Sequence, residues 1–271
     1  MKGGNWSVWA WRLGILIAFL AAWEYLTGIK AVSKTPGLYW IDPFFISRPS
    51  AIAHRFAYLM SDEVRLPLWR MALSTVQSTL WGFMVGITSG FVTGLLLGRS
   101  DQVARVFDPF IVAFNSLPRI ALVPLITMVF GFGLLAKIVL AWSIVFFIVF
   151  FNTFQGARSV DADLIHSARF LGAGERQILR TVIVPSTLAW TFASLTPSIS
   201  FALIGVVVGE FIGGESGGGL GYLIIQSLGT LNSADMMVAL FVLGAIGIVM
   251  ALGIRQIEVR LLRWRPEYQK R

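Results

Sequence analysis

Apolar residues fall into six long runs, near 13–29, 71–97, 107–131, 134–154, 188–209 and 236–255. About 20 residues of helix cross a bilayer's hydrocarbon core. The pattern therefore predicts an all-α integral membrane protein of about six transmembrane helices, built as one membrane domain over 1–271 with no repeat or linker. The third and fourth runs almost touch, separated only by Gly131-Phe132-Gly133. In the second run Gly82, Gly86, Gly90, Gly94 and Gly98 recur every four residues, which lines them along one helix face. Small residues at that spacing suit close helix packing; a hinge is the weaker alternative. Pro49–Met60 has the pattern of a short amphipathic helix on the outer surface.

One polar interruption is far too long for a turn. Residues 160–185 read VDADLIHSARFLGAGERQILRTVIVP. Asp161 can cap a helix by accepting free backbone N–H groups. Leu164, Ile165, Ala168 and Leu171 then share one face, with Asp163, Ser167 and Arg169 on the polar side. Nine such residues make a helix about 13 Å long. It is marginal alone and suited to a groove on a partner or, alternatively, to the lipid interface. Gly172-Ala173-Gly174 breaks it, a second helical stretch follows, and Pro185 suits the first turn of the next span.

Composition narrows the class further. Of the 271 residues 56% are hydrophobic and only 13% charged, where a soluble domain carries about a quarter charged. The net charge of +8 does not signal nucleic acid, because Lys and Arg sit at the ends of the apolar runs, where they set topology. With both termini inside, the inner segments 1–12, 98–106, 155–187 and 255–271 hold 14 of them. The outer segments 30–70, 132–137 and 210–235 hold 7, six of those in 30–70. This asymmetry predicts cytoplasmic termini and a cytoplasmic 155–187 loop. Trp23-Glu24-Tyr25 stands where a signal-peptide cleavage site would be, so the first run reads as an uncleaved span. With no cysteine in the chain, disulfides and thiolate chemistry are excluded. His54 and His166 are too far apart to argue for a metal.

The polar segment resembles the cytoplasmic EAA loop of permeases in binding-protein-dependent ABC importers. That loop runs Glu-Ala-Ala, three residues, Gly, nine residues, Ile-x-Leu-Pro. Here His166-Ser167-Ala168 is followed by Gly172 and by Val182-Ile183-Val184-Pro185, with His166 standing where the family has Glu. Further pieces, spread over roughly 48–265, are similar to the nitrate/sulfonate/taurine branch. They are Arg48-Pro49-Ser50, Leu117-Pro118-Arg119-Ile120-Ala121-Leu122 with Pro124-Leu125, Asn152-Thr153 before Gly156, Val160-Asp161, Ala168-Arg169 with Leu171-Gly172-Ala173, Val206–Ile212 around Glu210, and Gly219–Ile224.

The resemblance implies a type I importer permease of MetI-like architecture in the plasma (inner) membrane. Two such chains would pair with ABC ATPase subunits that bind ATP and Mg, and with a periplasmic or lipid-anchored substrate-binding protein. The chain itself would be no enzyme and would carry no cofactor; it has no Gly-x-x-x-x-Gly-Lys-Ser/Thr sequence. Docking on the ATPase would fall to Asp161, Leu164, Ile165, His166, Ser167, Ala168, Arg169, Leu171, Gly172 and Ala173. The solute would be a small anion. Arg119, Asn152 and Glu210 are the candidates for its pathway, since charge within a span is costly and usually faces a cavity. Arg119 could equally tie down carbonyls freed by neighbouring prolines. For Glu210 an interfacial or helix-pairing role is the stronger reading. The Gly213–Gly221 run reads as a flexible turn before a short helix. A secondary transporter or channel is the rival class; it would need intramembrane carboxylates or inverted repeats, and only Glu210 answers.

Overall fold

The computed structural model describes residues 4–29, 35, 38 and 41–262. Lys2, Lys30, Lys34 and the basic residues of 263–271, which entered the orientation count, lie outside the described residues. The described chain is helical, with no strand. In order it forms α1 (Gly4–Gly28), α2 (Pro43–Ile46), α3 (Pro49–Met60), α4 (Leu68–Gly98), α5 (Asp101–Ser116) and α6 (Val123–Phe130). Then follow α7 (Leu134–Arg158), α8 (Ala162–Phe170), α9 (Glu175–Ile178), α10 (Val184–Gly217), α11 (Leu220–Gly229) and α12 (Ser233–Leu261). Five helices are long and apolar enough to cross a membrane, and the broken pair α5–α6 makes up to six.

Two of the expected elements come out differently. The third run is not a straight span: α5 ends at Ser116, a 3-10 turn covers Arg119–Leu122, and the chain bends by 75° before α6. Pro118 accounts for it, since it has no N–H to donate and forces Leu117 into an extended conformation (φ −70°, ψ 127°). The fifth span, in contrast, does not begin afresh at Pro185. Helix continues from Glu175 to Glu215, with Leu179–Ile183 in a wider π turn. The loosened turn makes room for the Pro185 ring, which would otherwise press on the carbonyl four residues earlier.

By backbone proximity the chain forms two compact units, residues 1–72 with 223–243 and residues 73–222 with 244–271. In the first, Glu24 of α1 accepts from the Ser50 N–H (2.9 Å) and hydroxyl (2.8 Å) at the start of α3. Arg55 of α3 holds Asp235 of α12 through two bonds of 2.6 Å. These bonds raise the pKa of the Arg55 guanidinium above its ordinary value.

The second unit is built on α4, α7 and α10. A Cβ at Gly86 would lie 2.6 Å from the Val145 Cβ, at Gly90 or Gly94 2.7 Å from the Phe146 or Phe150 carbonyl, and at Gly98 2.8 Å from the Ala157 Cβ. The glycine face of α4 therefore rests directly on the backbone of α7. On its other side α7 meets α10, where Gly205 and Gly209 receive Ile144 and Leu140. Phe83, Val145, Val149, Ile199 and Val206 fill the core between the three helices. Trp142 donates to the Ser89 hydroxyl (3.0 Å) and Thr153 bonds Thr191 (2.9 Å). Such bonds average roughly 0.6 kcal/mol in a membrane protein, so packing carries most of the association.

Candidate functional site

The polar interruption folds as a short helix closed at both ends. Asp161 caps α8 by accepting the Asp163 N–H at 2.9 Å. At the other end Ala173 N–H donates to the Ala168 carbonyl (3.0 Å) and Gly172 N–H to that of Arg169 (2.9 Å). This pair of bonds is the Schellman closure, which needs a left-handed residue at its bend; Gly172 supplies it with φ +83°. Arg169 bonds Glu175 (2.7 Å) and so bridges the turn into α9.

Side-chain exposure then sorts the candidates on this loop. Ile165, Ala168 and Ala173 are half-buried, whereas Asp161, His166, Ser167, Arg169 and Gly172 are exposed. Leu164 and Leu171, placed by their spacing on the apolar face, are also exposed, Leu171 at 89%. Phe170 beside it is 92% exposed and was missed from the sequence. It falls off the helical apolar stripe, and its only signal is that a large aromatic interrupts a polar segment. The Cβ of a residue at Gly172 would meet nothing within 4 Å, so the helix end is open to a partner.

The three pathway candidates have different surroundings. Arg119 opens the 3-10 turn at the break in the third span. Its guanidinium lies 4.7 Å from the centre of the Phe147 ring on α7, and Phe147 in turn lies 6.3 Å from Phe114 of α5. Asn152 turns its amide onto its own helix, donating to the Ile148 carbonyl at 2.8 Å. Glu210 is fully buried near the end of α10 and pairs with Lys137 at 3.3 Å. That is the helix-pairing arrangement, and Lys137 is a second residue that sequence reasoning missed. Four residues after Gly133, it passed for a topology charge at a span end.

The match to known proteins covers this same region. Residues 82–262 fit the family model of the binding-protein-dependent transport system inner membrane component. The chain belongs to that family. The SsuC chain of Bacillus subtilis (strain 168), named for aliphatic sulfonate transport, is 29% identical over 268 residues, covering 96% of this permease and 90% of SsuC. RibX, the riboflavin transport system permease protein of Chloroflexus aurantiacus, is 31% identical over 252 residues, 93% of this permease and 88% of RibX. Among solved structures, the inward-facing MetNI methionine ABC transporter superposes with a TM-score of 0.63 at 22% identity, over 73% of this permease and 98% of that chain. At that identity the likeness speaks for the fold, and the fold is the type I importer architecture expected from the EAA-like loop. The protein is thus a multi-pass permease subunit of an ATP-driven importer.

Proposed function

We propose that the permease works as a homodimer carrying two ABC ATPase subunits on its cytoplasmic face and a substrate-binding protein on the other. The observation that carries this reading is the exposure of apolar residues at both ends of α8. Leu164, Phe170 and Leu171 stand exposed on a loop that is otherwise polar, and exposed large apolar residues set in a polar rim mark an interaction surface. Asp161 and Gly172 hold the helix in shape; Ile165, Ala168 and Ala173 seat it; His166, Ser167 and Arg169 offer polar contacts to the ATPase. ATP and Mg reside on that partner, and hydrolysis is its chemistry.

The route from docking to transport is mechanical. Because α8 is closed by its Schellman turn and bridged to α9, and α9 runs without a break into the fifth span, the docking helix and that span form one lever. Nucleotide drawing the ATPase subunits together pulls the lever inward, and the spans rock between inward- and outward-open states as rigid bodies. The equilibrium shifts by the difference in affinity of nucleotide and loaded binding protein for the two states.

The solute is a small anion of the nitrate, sulfonate or taurine kind, as the SsuC relative's name suggests and as Arg119 suits. Arg119 would meet it at the bend of the third span, with Asn152 further along α7. Glu210, buried against Lys137, would serve the pathway by holding its helices.

The test is reconstitution of the permease with the ATPase of its own transport system, comparing wild type with Leu171→Asp. Leu171 is so exposed that a carboxylate there costs the fold almost nothing. ATPase binding and uptake should fall together, by at least about tenfold if one apolar anchor worth about 1.4 kcal/mol or more is lost. Undiminished ATPase binding, or uptake without the ATPase, would overturn the reading.

A further inference from the structure

We propose that Lys137 and Glu210 are positioning residues: together they fix the glycine turn 213–219 and the first turn of α11 onto the α4–α7–α10 body, at the mouth of the route opposite the ATPase. That last location rests on the orientation proposed above. The fixing itself does not.

Four segments converge on one carboxylate. Glu210 of α10 accepts from Lys137 Nζ of α7 (3.3 Å), from the Thr75 hydroxyl of α4 (2.9 Å) and from the Gly221 N–H (2.9 Å). The Thr75 oxygen accepts in turn from the Leu220 N–H at 3.0 Å. Lys137, with several protons to give, also donates to the Ser74 hydroxyl (2.9 Å) and the Gly218 carbonyl (3.5 Å). Three backbone groups of the glycine turn and the helix after it, at residues 218, 220 and 221, therefore end in this cluster.

The glycines read differently in this light. Gly214, Gly218 and Gly219 have φ of +56°, +53° and +105°. A Cβ on Gly219 would collide with the Glu210 carboxylate, and one on Gly221 would lie 2.7 Å from the Val207 carbonyl. The run is not a flexible connector. Gly219 and Gly221 are glycine where the backbone closes on a buried anion, while Gly214 and Gly218, with open space around them, supply the left-handed turns. A buried ion pair is a poor source of net stability, since desolvation of both charges offsets their attraction, but its directional bonds select one geometry over others. Without the pair, the Gly221 amide and the Gly218 carbonyl lose their partners in a site away from water, and the Thr75 hydroxyl that accepts from Leu220 loses the carboxylate that orients it. The turn should then lift while the packed helices stay.

The chain contains no cysteine, so a single introduced thiol reports cleanly. Leu220 and Val206 are both 0% exposed; Leu220→Cys reports on the turn and Val206→Cys on the core. Labelling in membranes with a small, neutral, permeant maleimide needs neither ATPase nor solute and reads the same in either orientation. In Glu210→Ala and in Lys137→Met, the thiol at 220 should react about tenfold faster or more, corresponding to opening made easier by about 1.4 kcal/mol. The thiol at 206 should stay protected. If both thiols become reactive in the single variants, the charge-neutral pair Lys137→Met/Glu210→Gln decides, because it leaves no lone buried charge. Release at 220 alone supports the proposal. Protection at 220 in every variant, or release at 206 in the neutral pair as well, overturns it.

Discussion

Lys137 occupies the first turn of α7, where the helix dipole disfavours a cation, and its ammonium is withdrawn from solvent. Both penalties are offset chiefly by Glu210, the opposite charge 3.3 Å away. Each charge is therefore the other's condition for burial. Removing one partner of such a pair costs about 3–5 kcal/mol, whereas removing both can be nearly neutral. We expect Lys137→Met to lower the unfolding midpoint of the purified permease more than Lys137→Met/Glu210→Gln does. A double variant that is worse than both singles would show that the charges do not depend on each other. The sequence made half of this site legible: a carboxylate within an apolar run stands out, and an interfacial or helix-pairing role is its stronger reading. Its cation did not stand out, because a lysine near a span end looks like any other topology determinant. The glycines beside it read as a turn before a short helix, and nothing local reveals that the Glu210 carboxylate lies against Gly219 and Gly221.

Among the elements, those announced by period survive best. The four-residue glycine spacing put a packing face on α4, and α7 lies against that face along its length. Gly90→Val should cost about 1–3 kcal/mol by forcing the helices apart, since its Cβ already falls 2.7 Å from the Phe146 carbonyl. At Gly244, within α12, an added Cβ meets nothing within 4 Å, so Gly244→Ala should leave the unfolding midpoint unchanged or raise it slightly. Equal losses at the two positions would remove the claim that close approach, rather than helix propensity, is why α4 is glycine-rich. Elements shaped by proline were harder to read. Pro118 ends a helix inside an apolar run, while Pro185 is absorbed by a π turn upstream, and hydropathy is blind to both. The amphipathic stretch Pro49–Met60 and the capped α8 were legible because proline, aspartate and glycine mark their ends with specific backbone chemistry.

For the whole molecule, the count of crossings is where charge and geometry have to agree. If the orientation expected from the 14 to 7 division of Lys and Arg holds, residue 60 is outside and residue 167 inside, which requires an odd number of crossings between them. Helices α4 and α7 supply two. The third must come from α5 and α6, which pass for one span only if the pair bent by 75° crosses the bilayer rather than returning to the face it left. The cysteine-free background allows a direct test with Met60→Cys and Ser167→Cys, both at exposed positions, and a membrane-impermeant thiol reagent. In right-side-out vesicles the thiol at 60 should label and that at 167 should not; in inverted vesicles the pattern should reverse. Labelling of both from one side would make α5–α6 a re-entrant loop. Arg119, at the bend, would then sit at the turning point of that loop instead of along a continuous route, and its assignment to the solute pathway would have to be rebuilt. Opposite-side labelling keeps the break inside the membrane. Arg119, over the Phe147 ring at that break, then keeps the position that its proposed contact with a passing anion requires.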